Sequence, residues 1–331
     1  MPTDRQIYLL DPQKLNPETI AVTFAKTSRS PQSFREIAAE LTDEKSAEFH
    51  EKWVVGYGHA SVAEHAVLHI ALENISRLAV ETLESNRLAS YTEKSTRYQK
   101  WDRAGYYLPA ELAGSVLEGD FLRTLDLLFD TYHRALPRVR EAVAAENPRQ
   151  PTESEGAYER RLRTQYVDVC RFLLPAASLA NVGMTINARA LEHAISKMLS
   201  HPLDEVRAIG AEVKRVAQGE VPTLVKYANV LPYLQTAAED LHQRMAGLPA
   251  TPSADWFTLV DCDRTQEDSI LAAALYRFGS LDYAAALAQV RGALPDQRAA
   301  LANTLLGKLG KYDIPLRELE YSRCTVDVVM D

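Results

Sequence analysis

Two stretches of helical periodicity set the scale of what this chain can fold into. In residues 117–146 apolar side chains recur at Leu117, Phe121, Leu125, Leu128 and Tyr132, and in residues 156–174 at Tyr158, Leu162, Tyr166, Val169 and Leu173. Spacings of three and four residues line such side chains along one helix face, so both stretches are expected to be long amphipathic helices. Pro137 is expected to kink or break the first, because it removes a backbone donor. Residues 147–155, with Pro148 and Pro151, separate the two.

Shorter elements surround them. Residues 66–74 (A-V-L-H-I-A-L-E-N) alternate and read as a strand, residues 75–83 as a helix, and residues 7–10 as strand-like. Residues 42–55 read as a helix with Thr42 as N-cap and acidic Asp43 and Glu44 in its first turn. Residues 204–217 form another expected helix. Residues 229–255 carry Pro232, Pro249 and Pro252 and read as a linker with a short helix near 238–245. Beyond it come a strand at 256–260 and helices near 267–278, 281–293 and 295–307.

The 331 residues are 46% hydrophobic and 25% charged, an ordinary globular balance. A net charge of −8 argues against a broad nucleic-acid or anionic-membrane surface and favours a single nucleotide over a polymer as an anionic partner. Cys170, Cys262 and Cys324 lie far apart with no C-x-x-C pair, matching neither a disulfide framework nor a zinc knuckle. The opening M-P-T-D-R-Q-I-Y has no apolar signal core, and no run reaches the roughly eighteen apolar residues of a membrane span, so a cytoplasmic location is expected.

The chemistry concentrates at residues 87–98, R-L-A-S-Y-T-E-K-S-T-R-Y. Arg87, Arg97, Lys94, Glu93 and four hydroxyl side chains give it the inventory of a loop that grips an anion, although a solvated surface loop has the same composition. The order of residues narrows this. Arg-x-x-Ser-x-x-Glu-x-Ser-x-Arg-Tyr resembles the signature of the flavin-dependent thymidylate synthases, with matches at Arg87, Ser90, Glu93, Ser95, Arg97 and Tyr98. The Arg-His that leads the family pattern is replaced by Ser85 and Asn86.

Other stretches carry the same resemblance. H-A-S-V-A-E-H matches the family's His-x-Ser-x-x-Glu-His at His59, Ser61, Glu64 and His65. Its spacing is not the H-E-x-x-H that puts two imidazoles on one helix face, so no metal site is expected. Arg171 in C-R-F-L-L-P matches a nucleotide-contacting arginine, although a basic residue at a helix C-terminus also complements the helix dipole. N-A-R-A-L matches at Asn187, Ala188, Arg189 and Leu191, and Asn187 alone would make a good N-cap. A later arginine of the pattern aligns with Met198. Lys197 and His201 are its neighbours but not guanidinium forks.

The fold expected from elements and resemblance together is α+β, a small, largely antiparallel sheet packed with long helices. The resemblance implies reductive methylation of dUMP to dTMP, with FAD as cofactor and methylenetetrahydrofolate and NADPH as co-substrates. It implies that Arg87, Glu93, Ser95, Arg97 and Arg171 position the nucleotide, with Ser95 and Glu93 at the catalytic centre. His59, Ser61, Glu64, Asn187 and Arg189 would hold the flavin. Family sites form between subunits, so a homo-oligomer, a tetramer by resemblance, is expected. The expected domains are residues 1–228, a linker at 229–255, and the opening of a second, incomplete copy at 256–331, whose L-R-E at 316–318 resembles second copies in tandem members. Loss of basic residues at 85, 86 and 198 leaves a rival expectation: a catalytically degenerate copy that serves as structural or nucleotide-binding partner to an intact one.

Overall fold

A computed structural model describes residues 6–28, 30–56, 60–247 and 255–329, with Val55 by its backbone alone. The chain divides into two compact units, Met1–Ala246 and Gly247–Asp331.

In the first unit three short helices come first, each started by a polar cap. Asn16 caps α1 (Pro17–Thr27), Ser33 and Glu36 form a capping box on α2 (Phe34–Glu40), and Thr42 caps α3 (Asp43–Phe49). The helix expected at 42–55 runs on from α3 as a π-helical turn, His50–Gly56. Residues 7–10 form no strand: Ile7 and Leu9 are 89% and 95% exposed, so nothing drives that segment into a sheet.

A 3-10 turn, Ala60–His65, leads into β1 (Val67–Ser76), followed by α4 (Arg77–Glu84) and β2 (Ala89–Glu93). Ser76 starts α4 by accepting from the Ala79 N–H at 3.0 Å, which sets the strand–helix boundary two residues later than the apolar pattern suggested. The long helices α5 (Glu118–Glu146) and α6 (Glu155–Cys170) follow. Pro137 does not break α5. One missing donor is outweighed by the buried row Leu125, Phe129, Tyr132 and Leu136, which packs with Leu162, Tyr166 and Val167 of α6. A 3-10 turn at Arg171–Leu173 then leads to β3 (Leu179–Asn187), a strand absent from the sequence expectations. The helices α7 (Ala188–Leu199), α8 (Asp204–Ala217) and α9 (Pro232–Met245) complete the unit. Helix α9 occupies part of the segment expected as linker, and none of its residues is buried.

The sheet has the order β1–β3–β2, and both pairings are antiparallel. Ala180, Val182, Met184 and Ile186 of β3 point to one face and are buried with Leu68, Ile70 and Leu72 of β1 and with Leu191, Ala194, Ile195 and Met198 of α7. At roughly 1.5–3 kcal/mol for each large aliphatic side chain removed from water, this face is the main stabilising layer of the unit. A bulge between Leu72 and Ile75 places Asn74 at φ 58°, where its N–H donates to Asn181 Oδ1 at 3.0 Å. Trp101, 4% exposed, ties the helical pair to the sheet: its indole N–H donates to the Leu179 carbonyl at 2.7 Å, and the His133 Nε2–H donates to its own carbonyl at 2.8 Å.

The second unit contains β4 (Phe257–Cys262), helices α10 (Gln266–Phe278), α11 (Tyr283–Gly292) and α12 (Pro295–Leu306), a 3-10 turn (Arg317–Tyr321) and β5 (Cys324–Val328). The two strands pair antiparallel. Leu271, Ala272, Ala286 and Val290 form a small core.

Two groups generate measurable consequences. His50 is fully buried, its Nε2–H donating to the Glu18 carbonyl at 3.0 Å, and burial holds its pKa below the ordinary 6.5. The unfolded chain therefore takes up a proton below pH 6.5 that the folded chain refuses, so the His50 contribution is intact above 6.5 and lost as pH falls. Glu18 acts oppositely: burial, against the Thr223 and Leu224 N–H groups, raises its carboxyl above 4.5, so its contribution declines as pH rises through that value. His50→Gln is expected to flatten the fall in melting temperature between about pH 7 and about pH 5, where one proton is worth at most about 1.4 kcal/mol per pH unit. An unchanged slope by calorimetry would contradict the assignment.

All three cysteines are free thiols, yet two of them meet. Cys262 and Cys324 are direct cross-strand partners with sulfurs 2.7 Å apart, although 62 residues separate them. Oxidised glutathione is expected to draw both thiol hydrogens, being reduced to two thiols while one Sγ–Sγ bond forms. Mass spectrometry should read a loss of about 2 Da, and closing so long a loop should stabilise the unit by up to about 4 kcal/mol. Three thiols titrating after the same treatment would exclude the bond.

Candidate functional site

The central strand β3 brings together part of the motif residues. It ends at Asn187, whose Oδ1 accepts from the Ala190 N–H at 2.9 Å and so starts α7, as expected of an N-cap. The 3-10 turn before β1, the α4–β2 connection and α7 thereby enclose a cavity of about 790 Å³. Ala60, Glu64, Ser85, Asn86, Arg87, Leu88, Asn187, Arg189, Ala190, Glu192, His193, Ser196, Lys197, Tyr227 and Leu231 line it. Its size falls within the ordinary range for small-molecule sites.

Its electrostatics favour an anion. Arg87, Arg189 and Lys197 face the cavity together with the N-terminus of α7, whose first N–H groups and dipole attract negative charge. Arg189 pairs with Glu64 in a half-exposed ion pair. The Glu192 carboxyl is pushed up by burial, with His193 opposing. Lys197 Nζ donates to Ser85 Oγ at 2.6 Å, and Ser85 donates to the Thr82 carbonyl at 2.6 Å.

A second pocket of about 390 Å³ adjoins it through Glu64, which lines both. Phe24, Phe49, Trp53 and His65 supply rings here, beside Ser28 and Ser61. The Phe24 and His65 rings lie 5.0 Å apart, and those of Phe49 and Trp53 6.2 Å apart. Thus three residues expected at the cofactor, Glu64, Asn187 and Arg189, meet in the first cavity, and Ser61 stands in the second. His59 lies outside the described residues.

The residues expected at the nucleotide separate. Arg87 lines the large cavity; Glu93, Ser95, Arg97 and Arg171 do not. Arg97 and Arg171 are instead drawn together by Asp168, at 3.2 and 2.9 Å. Arg171 Nε and Asp168 Oδ1 are buried and close, yet too poorly aligned to form a hydrogen bond. Glu93 lies 3.5 Å from Arg77 with its Oε1 unpartnered, and burial raises its carboxyl while Arg77 opposes. The Arg97 backbone N–H donates to Ser95 Oγ at 3.2 Å, leaving the hydroxyl hydrogen available. Arg77 is ion-paired with Glu81 as well as with Glu93.

Two of the three altered positions of the pattern, Asn86 and Met198, are buried. Asn86 is buried, its amide donating to the Leu83 carbonyl at 2.8 Å. Met198 is 1% exposed within the core. Asp168 was missed because nothing in Y-V-D-V-C marks a carboxylate that collects two arginines from different segments. Glu192 and His193 were missed for a different reason, although their spacing from Arg189 on α7 could have revealed them as one helix face.

Among the described residues no helix is long and apolar enough to cross a membrane, and no cluster of three or more His, Cys, Asp or Glu side chains could hold a metal ion. A flavin dependent thymidylate synthase of Helicobacter pylori, solved in complex with FAD and dUMP, aligns with 65% of this chain and 96% of its own at 20% identity and a TM-score of 0.41. A UPF0159 protein of Chlamydia pneumoniae is 36% identical over 195 residues, covering 57% of this chain and 37% of that relative, and one of Chlamydia muridarum is 34% identical over 209 residues, covering 61% and 40%. The match therefore spans less than half the length of these relatives. A flavin-dependent thymidylate synthase of Clostridium tetani is 27% identical over 215 residues, covering 64% of this chain and 82% of that protein. The model of the thymidylate synthase complementing protein family matches residues 9–223, well over half of the chain, and the chain belongs to that family.

Proposed function

We propose that the first unit is an FAD-dependent thymidylate synthase domain that binds dUMP for reductive methylation to dTMP, with methylenetetrahydrofolate as carbon donor and NADPH as reductant. The observation that carries this is the pair of pockets sharing Glu64, one lined by Arg87, Arg189, Lys197 and the α7 N-terminus, the other by aromatic rings. Cations suit phosphates and aromatic faces suit planar rings, so this donor set fits a flavin dinucleotide. Glu64, Ser61, Asn187 and Arg189 would hold it, and when bound it supplies the hydride chemistry.

The chain's own residues bind and orient. Arg87 offers a guanidinium to phosphate. Glu93, whose Oε1 has no hydrogen-bond partner, suits a hydrogen bond to a base edge, and Ser95 retains a hydroxyl hydrogen to donate. Arg97 and Arg171 supply a second anion-binding locus once a ligand phosphate competes with Asp168. That nucleotide residues fall into separate groups supports a site completed by a second subunit, hence a homo-oligomer, and a cytoplasmic location accords with these substrates. The second unit is read as the opening of a second copy, because α10–α12, the 317–321 turn and β5 follow the order of α1–α3, the 60–65 turn and β1.

A second reading is favoured by one observation: Asp168 already occupies both Arg97 and Arg171. In it the unit binds nucleotide without turning it over and serves an intact copy. The purified chain with added FAD is expected to show a bound-flavin absorption band that dUMP perturbs, and Arg87→Ala should weaken dUMP binding roughly tenfold. Absence of any bound-flavin band would overturn the synthase reading. Binding of both ligands without dTMP formation on adding methylenetetrahydrofolate and NADPH would select the non-catalytic copy.

A further inference from the structure

We infer that Lys197 is the cation that anchors the anionic part of the nucleotide ligand in the α4–α7 cavity, replacing from a different helix the charge that the family pattern carries at position 85. The inference rests on reading that cavity as a nucleotide site. Position 85 is Ser85 here, and position 198, where the pattern has its later arginine, is Met198.

Position 198 is closed to a cation. Met198 is buried among aliphatic side chains, and a Cβ built on Gly210 of α8 would come within 2.8 Å of the Met198 Cβ. The two helices therefore meet there too closely to leave room for a guanidinium or its water. One residue back along α7 the side chain turns by about 100°, which brings Lys197 onto the face that carries Arg189, His193 and Ser196 into the cavity.

Lys197 then reaches position 85 itself. Its ammonium donates to Ser85 Oγ at 2.6 Å, and the serine is held in place by its own bond to the Thr82 carbonyl. An ammonium has three N–H donors, so two remain for a ligand. Ser85 is the C-cap of α4, where a cation also complements the helix dipole, and that bland role predicts a change in stability but none in ligand affinity. Arg189 is committed to Glu64, whereas Arg87 and Lys197 form no ion pair among the described residues. Arg87, which follows Asn86 in sequence, and Lys197, bonded to Ser85 before it, thus both line the cavity, from the α4–β2 connection and from α7. A ligand phosphate entering between them replaces no internal carboxylate.

The test is calorimetric titration of the full chain with dUMP and, separately, FAD. Lys197→Met is expected to weaken binding of at least one ligand roughly tenfold or more, and to reduce the dependence of that binding on salt. Adding Ser85→Arg to Lys197→Met returns the charge to the pattern's position and is expected to recover most of the affinity. Adding Met198→Arg instead should recover none and should lower the melting temperature, because the new charge is buried. Wild-type binding that Lys197→Met leaves unchanged would overturn the inference and leave the functional reading standing. A loss that Ser85→Arg does not repair would overturn the exchange of positions. A wild-type chain that binds neither ligand would overturn both.

Discussion

Strand β3 hydrogen-bonds to β1 along one edge and to β2 along the other, and the remainder of the first unit depends on that double pairing. Antiparallel registry puts Asn187 opposite Val67 and Ile186 opposite Ala89, so the end of β3, the start of β1 and the start of β2 arrive at one edge of the sheet. Each is flanked by a motif: the 60–65 turn before β1, Ser85 to Leu88 before β2, and α7 after β3. The buried row Ala180, Val182, Met184 and Ile186 fixes the registry, because a slip of one residue would turn it to the open face.

The cavity follows from how the chain leaves that edge. Asn187 starts α7 immediately after β3, so the helix N-terminus opens onto the space between the strands and their preceding turns. Ile195 and Met198 hold the other face of α7 against the core, and this orients Arg189, His193 and Lys197 inward to the site. Cation placement is thus a by-product of core packing. The same packing excludes a charged side chain at 198 and makes 197 the available position.

Charge pairing divides the basic residues around the sheet into those without an ion pair among the described residues and those already engaged. Arg87 and Lys197 face the cavity, while Asp168 gathers Arg97 and Arg171, and Arg77 approaches Glu93. These pairs are partly exposed, so they contribute little to stability, of order 1 kcal/mol or less each. Their poor alignment leaves buried charged atoms whose hydrogen bonds a ligand could complete.

The helical periods of α5 and α6, the alternation in β1 and the caps at Thr42 and Asn187 were legible in the sequence because each depends on neighbours within a few residues. The motif at 87–98 was legible as anion chemistry, and its order carried the family resemblance. The continuity of α5 through Pro137 was not legible, because side chains of α6 outweigh a local defect. Nor was β3, although A-N-V-G-M-T-I-N alternates cleanly, since a strand needs its partners and those lie about a hundred residues upstream. The sequence by itself determined which charges the chain carries and which local elements can form. Only the tertiary structure decided that Arg87 and Lys197 share a cavity, that Asp168 collects two arginines and that Cys262 meets Cys324, because those contacts are set by sheet registry and helix packing across long stretches of chain.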